Sequence, residues 1–263
     1  MTGRFNRLES GLLIRDPAVT SVSVTGNAVR TATDEVRAAT GHVRSGRYEE
    51  ALRHYTRALG YDRAVIPAWV GQVQMLVELG ENAEGRMWSD KALELFKNNG
   101  ELLAAKSRAC IRVGDRGAAF ACSDASLKSA GSSSARWQAR GEVLLGSDRA
   151  VARNCFERSL VEADADWFDR ITIARIYLFH GMAAAALEHA QFGSDMQPSH
   201  AYGWYVVGQC QERLGLTDRA LASYARSLEL SPTGNPARKA VDRAIEESSG
   251  ARAWRRLKGI FGP

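Results

Sequence analysis

Proline is scarce: six occur in 263 residues, and four of them (Pro67, Pro198, Pro232, Pro236) fall where one helix would end or the next begin. Such spacing excludes a proline-rich linker and leaves long stretches free to form helix. No run reaches the roughly 18 apolar residues that a membrane-spanning helix needs, so none is expected. The N-terminal run stops at Arg15 without a small-residue cleavage site, which argues against a secretion signal. The four cysteines (Cys110, Cys122, Cys155, Cys210) form no CxxC pair, and read as buried reduced thiols in a cytosolic protein. The five histidines are scattered, with no HExxH and no metal-ligand spacing. Phosphate loops of the GxxxxGK[ST] or GxGxxG type and the GxSxG elbow are missing too. No catalytic residue, cofactor site or metal site is expected, and the chain does not read as an enzyme.

The charge of +5 is also less than it looks. Arg252, Arg255, Arg256 and Lys258 stand without an acid in 251–263, and Arg4, Arg7 and Arg15 face only Glu9 in 1–15. The body between these ends is close to neutral, which weakens a nucleic-acid-binding reading.

What is present is a period. Gly46, Gly80 and Gly114 are spaced by 34 residues, as are Gly181 and Gly215, while Gly114 to Gly181 is 67, one short of two periods. The last copy is the fullest, with Trp204, Val207, Gly208, Gly215, Ala220, Tyr224, Ser227 and Pro232. Ala39, Gly46, Ala51, Tyr55 and Ala58 mark the first copy, and Trp69, Gly80, Gly85 and Ala92 the second. The third has Leu103, Ser107, Gly114 and Ala119; the fourth Trp137, Gly141, Ala152, Phe156 and Ser159; the fifth Ala174, Tyr177, Gly181, Ala186, Gly193 and Pro198. One residue is missing from the fourth copy around Gly146–Asp148, which accounts for the short interval.

This pattern resembles the tetratricopeptide repeat, a helix–turn–helix unit of 34 residues. The pattern has a packing logic: small residues let the two helices of a unit approach, an aromatic fills the space between them, and a closing proline ends the second helix. The expected fold is all-α, a right-handed superhelical solenoid of about six such units (32–65, 66–99, 100–133, 134–166, 167–200, 201–235). A capping helix is expected over 236–250, with Ala240, Val241, Ala244 and Ile245 on one face. Residues 1–31 form an arm outside the repeats, partly extended, that either covers the first repeat or enters the groove.

The resemblance also implies a concave wall built mainly from the first helix of each unit. On it the family's contact positions fall on Gln74, Arg108, Arg112, Glu142, Phe168, Arg175, Tyr202, Tyr205 and Gln209. Arg108, Arg112 and Arg175 could hold a carboxylate, and Phe168, Tyr202 and Tyr205 suit apolar anchors. Arg108 and Arg175 are taken to lie outside the packing positions. The implied function is a non-enzymatic, cytoplasmic scaffold binding a protein or peptide that bears an acidic group and apolar anchors. Chaperone carboxy-terminal tails are disfavoured, because Val36 and Thr40 stand where that clamp has lysine and asparagine. Single-stranded nucleic acid is disfavoured because Glu78, Glu101 and Glu142 interrupt the wall. The tail 251–263 offers an alternative: Trp254, Leu257 and Phe261 line one side of a helix that also carries Arg255, Arg256 and Lys258. Such a helix suits a membrane surface or a partner's groove, and would make the protein a membrane-peripheral assembly factor.

Overall fold

The structure, a computed structural model, describes residues 31–243. The expected arm, the end of the capping helix and all six tail contacts (Trp254, Arg255, Arg256, Leu257, Lys258, Phe261) lie outside the described residues. Twelve helices occupy the described residues, without a strand: α1 (Ala32–Arg44), α2 (Tyr48–Tyr61), α3 (Ile66–Glu78), α4 (Asn82–Leu95), α5 (Gly100–Arg112), α6 (Arg116–Lys128), α7 (Ser134–Leu144), α8 (Arg149–Ser159), α9 (Trp167–Phe179), α10 (Ala183–Met196), α11 (Ala201–Arg213) and α12 (Thr217–Leu230). Residues 237–243 are helical as well. The protein is an all-α solenoid of helical hairpins.

The periodic glycines explain the hairpins. Gly46, Gly80, Gly114, Gly181 and Gly215 all have positive φ, between 70° and 89°. In the turn after α3 the Gly80 amide donates to Val77 and the Glu81 amide to Leu76. The same two bonds recur at Gly114–Asp115, Gly181–Met182 and Gly215–Leu216. This is the Schellman ending of a helix, whose left-handed residue favours glycine because it has no Cβ. The fourth hairpin turns differently: the Ser147 and Asp148 amides both donate to the Leu144 carbonyl. The Asp148 carboxylate then accepts from the Ala150 and Val151 amides and caps α8. One residue fewer is needed, which is the shortfall in the 67-residue interval.

At some of the glycines inside helices, a ring from the neighbouring helix takes the space. A Cβ on Gly141 would meet the Phe156 ring at 2.5 Å, and one on Gly208 would meet Tyr224 at 2.5 Å. A Cβ on Gly193 would come within 2.8 Å of Ile171 and 3.1 Å of the Trp167 carbonyl. The tryptophans staple the loops between hairpins: Trp69 Nε1 donates to the Arg63 carbonyl and Trp204 Nε1 to the Pro198 carbonyl, both at 2.9 Å.

The described residues form two compact units, the first built on α1–α6 and the second on α7–α12. In the first, α3 packs on α2, α4 and α5, and α5 on α6. Trapped among three neighbours, α3 buries nearly its whole circumference: Ala68, Trp69, Gly71, Gln72, Val73, Met75, Leu76 and Val77. Gln72 is fully buried, and neither end of its amide finds a hydrogen-bond partner. A buried amide left unpaired costs about 1–3 kcal/mol. Gln72→Leu is therefore expected to stabilise the protein by about 1–3 kcal/mol in urea unfolding; a loss of stability would mean that the amide is satisfied.

In the second unit α9 packs on α7, α10 and α11, and α11 on α12. The final hairpin does not end in an open face. Ala237 and Ala240 of the last helical segment bury against Ala220 and Tyr224, flanked by Tyr205, Leu228 and Val241. Asn235 connects the two, its amide donating to the Ser227 and Ser231 carbonyls while its oxygen caps the Ala237 amide. Arg243 pairs with Glu212 at 2.6 Å.

Candidate interaction face of the first helices

The first helices of the hairpins carry the expected wall residues, and the two units use them differently. In the first unit Arg108 and Arg112 lie one turn apart on α5, facing the end of α3. Arg108 Nη2 sits 3.0 Å from Glu78 Oε1, and Arg112 Nη2 lies 3.9 Å from the same oxygen. Arg112 also donates through Nη1 to the Val77 carbonyl at 3.0 Å, so a cation meets the carbonyl end of α3. These side chains are nearly closed to solvent, at 8 % for Arg108 and Glu78 and 3 % for Arg112. Here the sequence expectation is corrected. Arg108 is a packing position, because the carboxylate one hairpin back draws it inward. Gln74 of α3 is half-buried.

The second unit holds the aromatic section. Phe168 and Tyr202 approach with ring centroids 6.3 Å apart, Tyr202 and Tyr205 at 5.8 Å, and Tyr205 and Tyr224 at 5.8 Å. A ladder of rings thus runs from α9 across α11 to α12. Arg175 joins it from α9, two turns beyond Phe168, and donates through Nη1 to the Tyr202 hydroxyl at 2.7 Å. Gln209 Nε2 donates to the Tyr205 hydroxyl at 2.9 Å. Burial pushes the Tyr205 phenol up from its ordinary value, so it stays neutral. Phe168, Arg175, Tyr205 and Gln209 are half-buried, whereas Tyr202 is only 3 % exposed. Tyr202 was expected on the open wall; instead it is buried between its neighbours and fixes the Arg175 guanidinium. Glu142 was expected there too, but is fully buried on α7, its Oε1 3.5 Å from His180 Nε2.

Sequence reasoning missed Asp169. Its Oδ1 accepts from Ser134 Oγ and Gln138 Nε2, both at 2.6 Å, and its Oδ2 accepts from the Asp166 amide at 2.7 Å. Asp166 in turn caps the Phe168 amide, completing a capping box that sets the start of α9. Burial raises the Asp169 carboxyl above its usual range, against the lowering effect of these hydrogen bonds. Asp169 thereby ties α7 to α9 and fixes the turn from which Phe168 projects. Asp166 followed three residues later by an acid was the one local signal.

The geometry agrees with two independent matches in the sequence: residues 36–99 and 171–235 both fit the family model described as tetratricopeptide repeat. The chain is a tetratricopeptide-repeat protein. Solved tetratricopeptide structures resemble it in fold. One from Parabacteroides merdae is 17% identical, aligns over 81% of this chain and 84% of its own, and has a TM-score of 0.50. A thermophilic tetratricopeptide protein of Thermus thermophilus is 15% identical over 82% of this chain and 99% of its own, with a TM-score of 0.48. A chain of the APC/C hetero-tetramer is 16% identical over 82% of this chain, with a TM-score of 0.48, and this chain spans 43% of its length. No curated protein matches the chain in sequence at a significant level. Tetratricopeptide repeats serve in general as protein–protein interaction scaffolds. Among the described residues no helix is long and apolar enough to cross a membrane, and no cluster of three His, Cys, Asp or Glu side chains is placed to hold a metal ion.

Proposed function

We propose that the protein is a non-enzymatic adaptor, working in the cytoplasm, that holds a peptide segment of a partner along α9 and α11. The observation that carries this reading is the Arg175 guanidinium, pinned by the hydroxyl of the buried Tyr202, whose ring neighbours the half-buried Phe168 and Tyr205. A guanidinium fixed in one orientation recognises a carboxylate with little further loss of side-chain freedom. Phe168 and Tyr205, the ring neighbours of Tyr202, offer flat apolar area, the usual composition of an interface centre. The favoured ligand is an extended segment with an acidic residue a few positions from an apolar anchor. Tyr202 and Asp169 act from beneath, positioning Arg175 and the start of α9. Four free, buried thiols support a reducing compartment.

The test is selection of linear peptides from a random displayed library on the wild-type protein and on Arg175→Ala. Enrichment of peptides pairing an acid with an aromatic is expected on the wild type. Arg175→Ala should bind those peptides at least about 30-fold more weakly, the effect of removing a hot-spot residue of about 2 kcal/mol. Equal affinity for both proteins would remove Arg175 from the contact surface. Selection of no peptide at all would direct the search to folded partner domains.

A further inference from the structure

One carboxylate at the end of the second unit joins three helices. Glu212, in the last turn of α11, accepts the Tyr224 hydroxyl of α12 on Oε2 and Arg243 Nη2 on Oε1, both at 2.6 Å. Arg243 belongs to the last helical segment, 237–243. Each oxygen has its own donor from a different helix, which holds the carboxylate in one orientation. The Tyr224 ring is 1 % exposed and lies over Gly208 of α11. Burial and the Glu212 carboxylate push the Tyr224 phenol well above its ordinary value, which keeps it a donor. The same ring stands 5.8 Å from Tyr205. Tyr205 in turn packs, half-buried, against the cluster of Ala220, Tyr224, Ala237 and Ala240. Ala237 and Ala240 come from the last segment, so the packing of the Tyr205 ring is completed by residues that follow the final repeat.

We propose that Glu212 is a positioning residue of the peptide-binding face, which locks the last helical segment and so sets the Tyr205 ring for a partner's apolar anchor. The proposal rests on the reading that the partner lies along α9 and α11. As an ion pair alone, Arg243 and Glu212 would contribute little, since their side chains are 54 % and 37 % exposed. Their effect is geometric. Asn235 ties the start of the segment to α12, and Arg243 ties its far end to α11. Without Glu212 the far end loses its anchor and the Tyr224 hydroxyl its acceptor, while the Asn235 bonds and the buried alanines remain. Tyr205 then gains freedom that binding must remove, which costs affinity. The sign separates this role from a direct contact. The ligand carries an acid, which a glutamate beside it repels, so a Glu212 that merely faced the ligand would weaken binding and its removal would strengthen it. A positioning Glu212 predicts the reverse.

The experiment labels the full chain with 3-fluorotyrosine and follows the Tyr205 fluorine signal, assigned by its loss in Tyr205→Phe. In Glu212→Ala that signal is expected to shift while the signal of Tyr177, on α9, stays. Calorimetric affinity for an acid-and-aromatic peptide selected on the wild type should fall at least about five-fold. Glu212→Gln keeps an acceptor for Tyr224 and should recover most of the affinity. Glu229→Ala, which breaks the exposed pair with Arg226 on α12, should leave both readouts unchanged. Circular dichroism checks folding; should Glu212→Ala unfold, Arg243→Ala, which cuts only the outer arm, carries the same two expectations. An unmoved Tyr205 signal, or affinity kept or raised in Glu212→Ala, would overturn the proposal. Wild-type affinity in both Arg175→Ala and Tyr205→Ala would instead remove the partner reading, the fluorine signal still deciding whether Glu212 sets Tyr205.

Discussion

Replacing Glu78 by alanine is expected to destabilise the first unit by about 3–5 kcal/mol, the range for removing one partner from a buried ion pair. The cause lies in what remains. Arg108 and Arg112 keep their places on α5, with side chains 8 % and 3 % exposed, and lose the carboxylate that both approach. Glu78→Gln should cost less, because its amide oxygen can still accept a hydrogen bond from Arg108. Repeat arrays need not unfold in one step, so the loss is best read as hydrogen-exchange protection of the α3 and α5 amides. Protection unchanged to within about 0.5 kcal/mol would place the cluster with exposed ion pairs, which contribute little. The same geometry alters the meaning of Arg108→Glu. That change sets a carboxylate against Glu78 and disturbs packing, so a loss of partner binding in it would not report on contact.

The second large effect is at Phe156. Its side chain is fully buried, lies over Gly141 and meets Tyr177 edge-on at 5.1 Å. Phe156→Ala is expected to cost about 3–5 kcal/mol through lost burial and a residual cavity. Gly141→Ala in the wild type should cost about 1–3 kcal/mol, because the new methyl would lie 2.5 Å from the ring. In the Phe156→Ala background the same change should become favourable, since alanine is the better helix former by about 1 kcal/mol once the ring is gone. A double-mutant cycle by urea denaturation measures this reversal of sign. Additive effects would mean that the ring and the glycine do not share a space.

The turns were legible because a left-handed residue at the end of a helix favours glycine, and Gly46, Gly80, Gly114, Gly181 and Gly215 mark it at a fixed spacing. Even the aberrant fourth turn was visible as a missing residue. The ring-on-glycine contacts at Gly141 and Gly208 follow from the same pattern. The wall was legible only as positions. Whether Arg108 is open or buried depends on Glu78, thirty residues away on the preceding first helix, and nothing local to α5 records that. Asp169 escaped notice because its partners, Ser134 and Gln138, belong to the hairpin before.

The central claim is that partners are held on the α9–α11 face, by Arg175 and the rings beside it. The most direct measurement compares calorimetric affinities of a selected peptide for wild type, Tyr205→Ala and Phe192→Ala. Phe192 is a control on α10, 54 % exposed, with the Arg170 guanidinium 4.7 Å from its ring centroid. Tyr205→Ala should weaken binding by about ten-fold or more while Phe192→Ala leaves it unchanged. The opposite outcome, full affinity in Tyr205→Ala and loss in Phe192→Ala, would place the binding surface on the second helices and contradict the account.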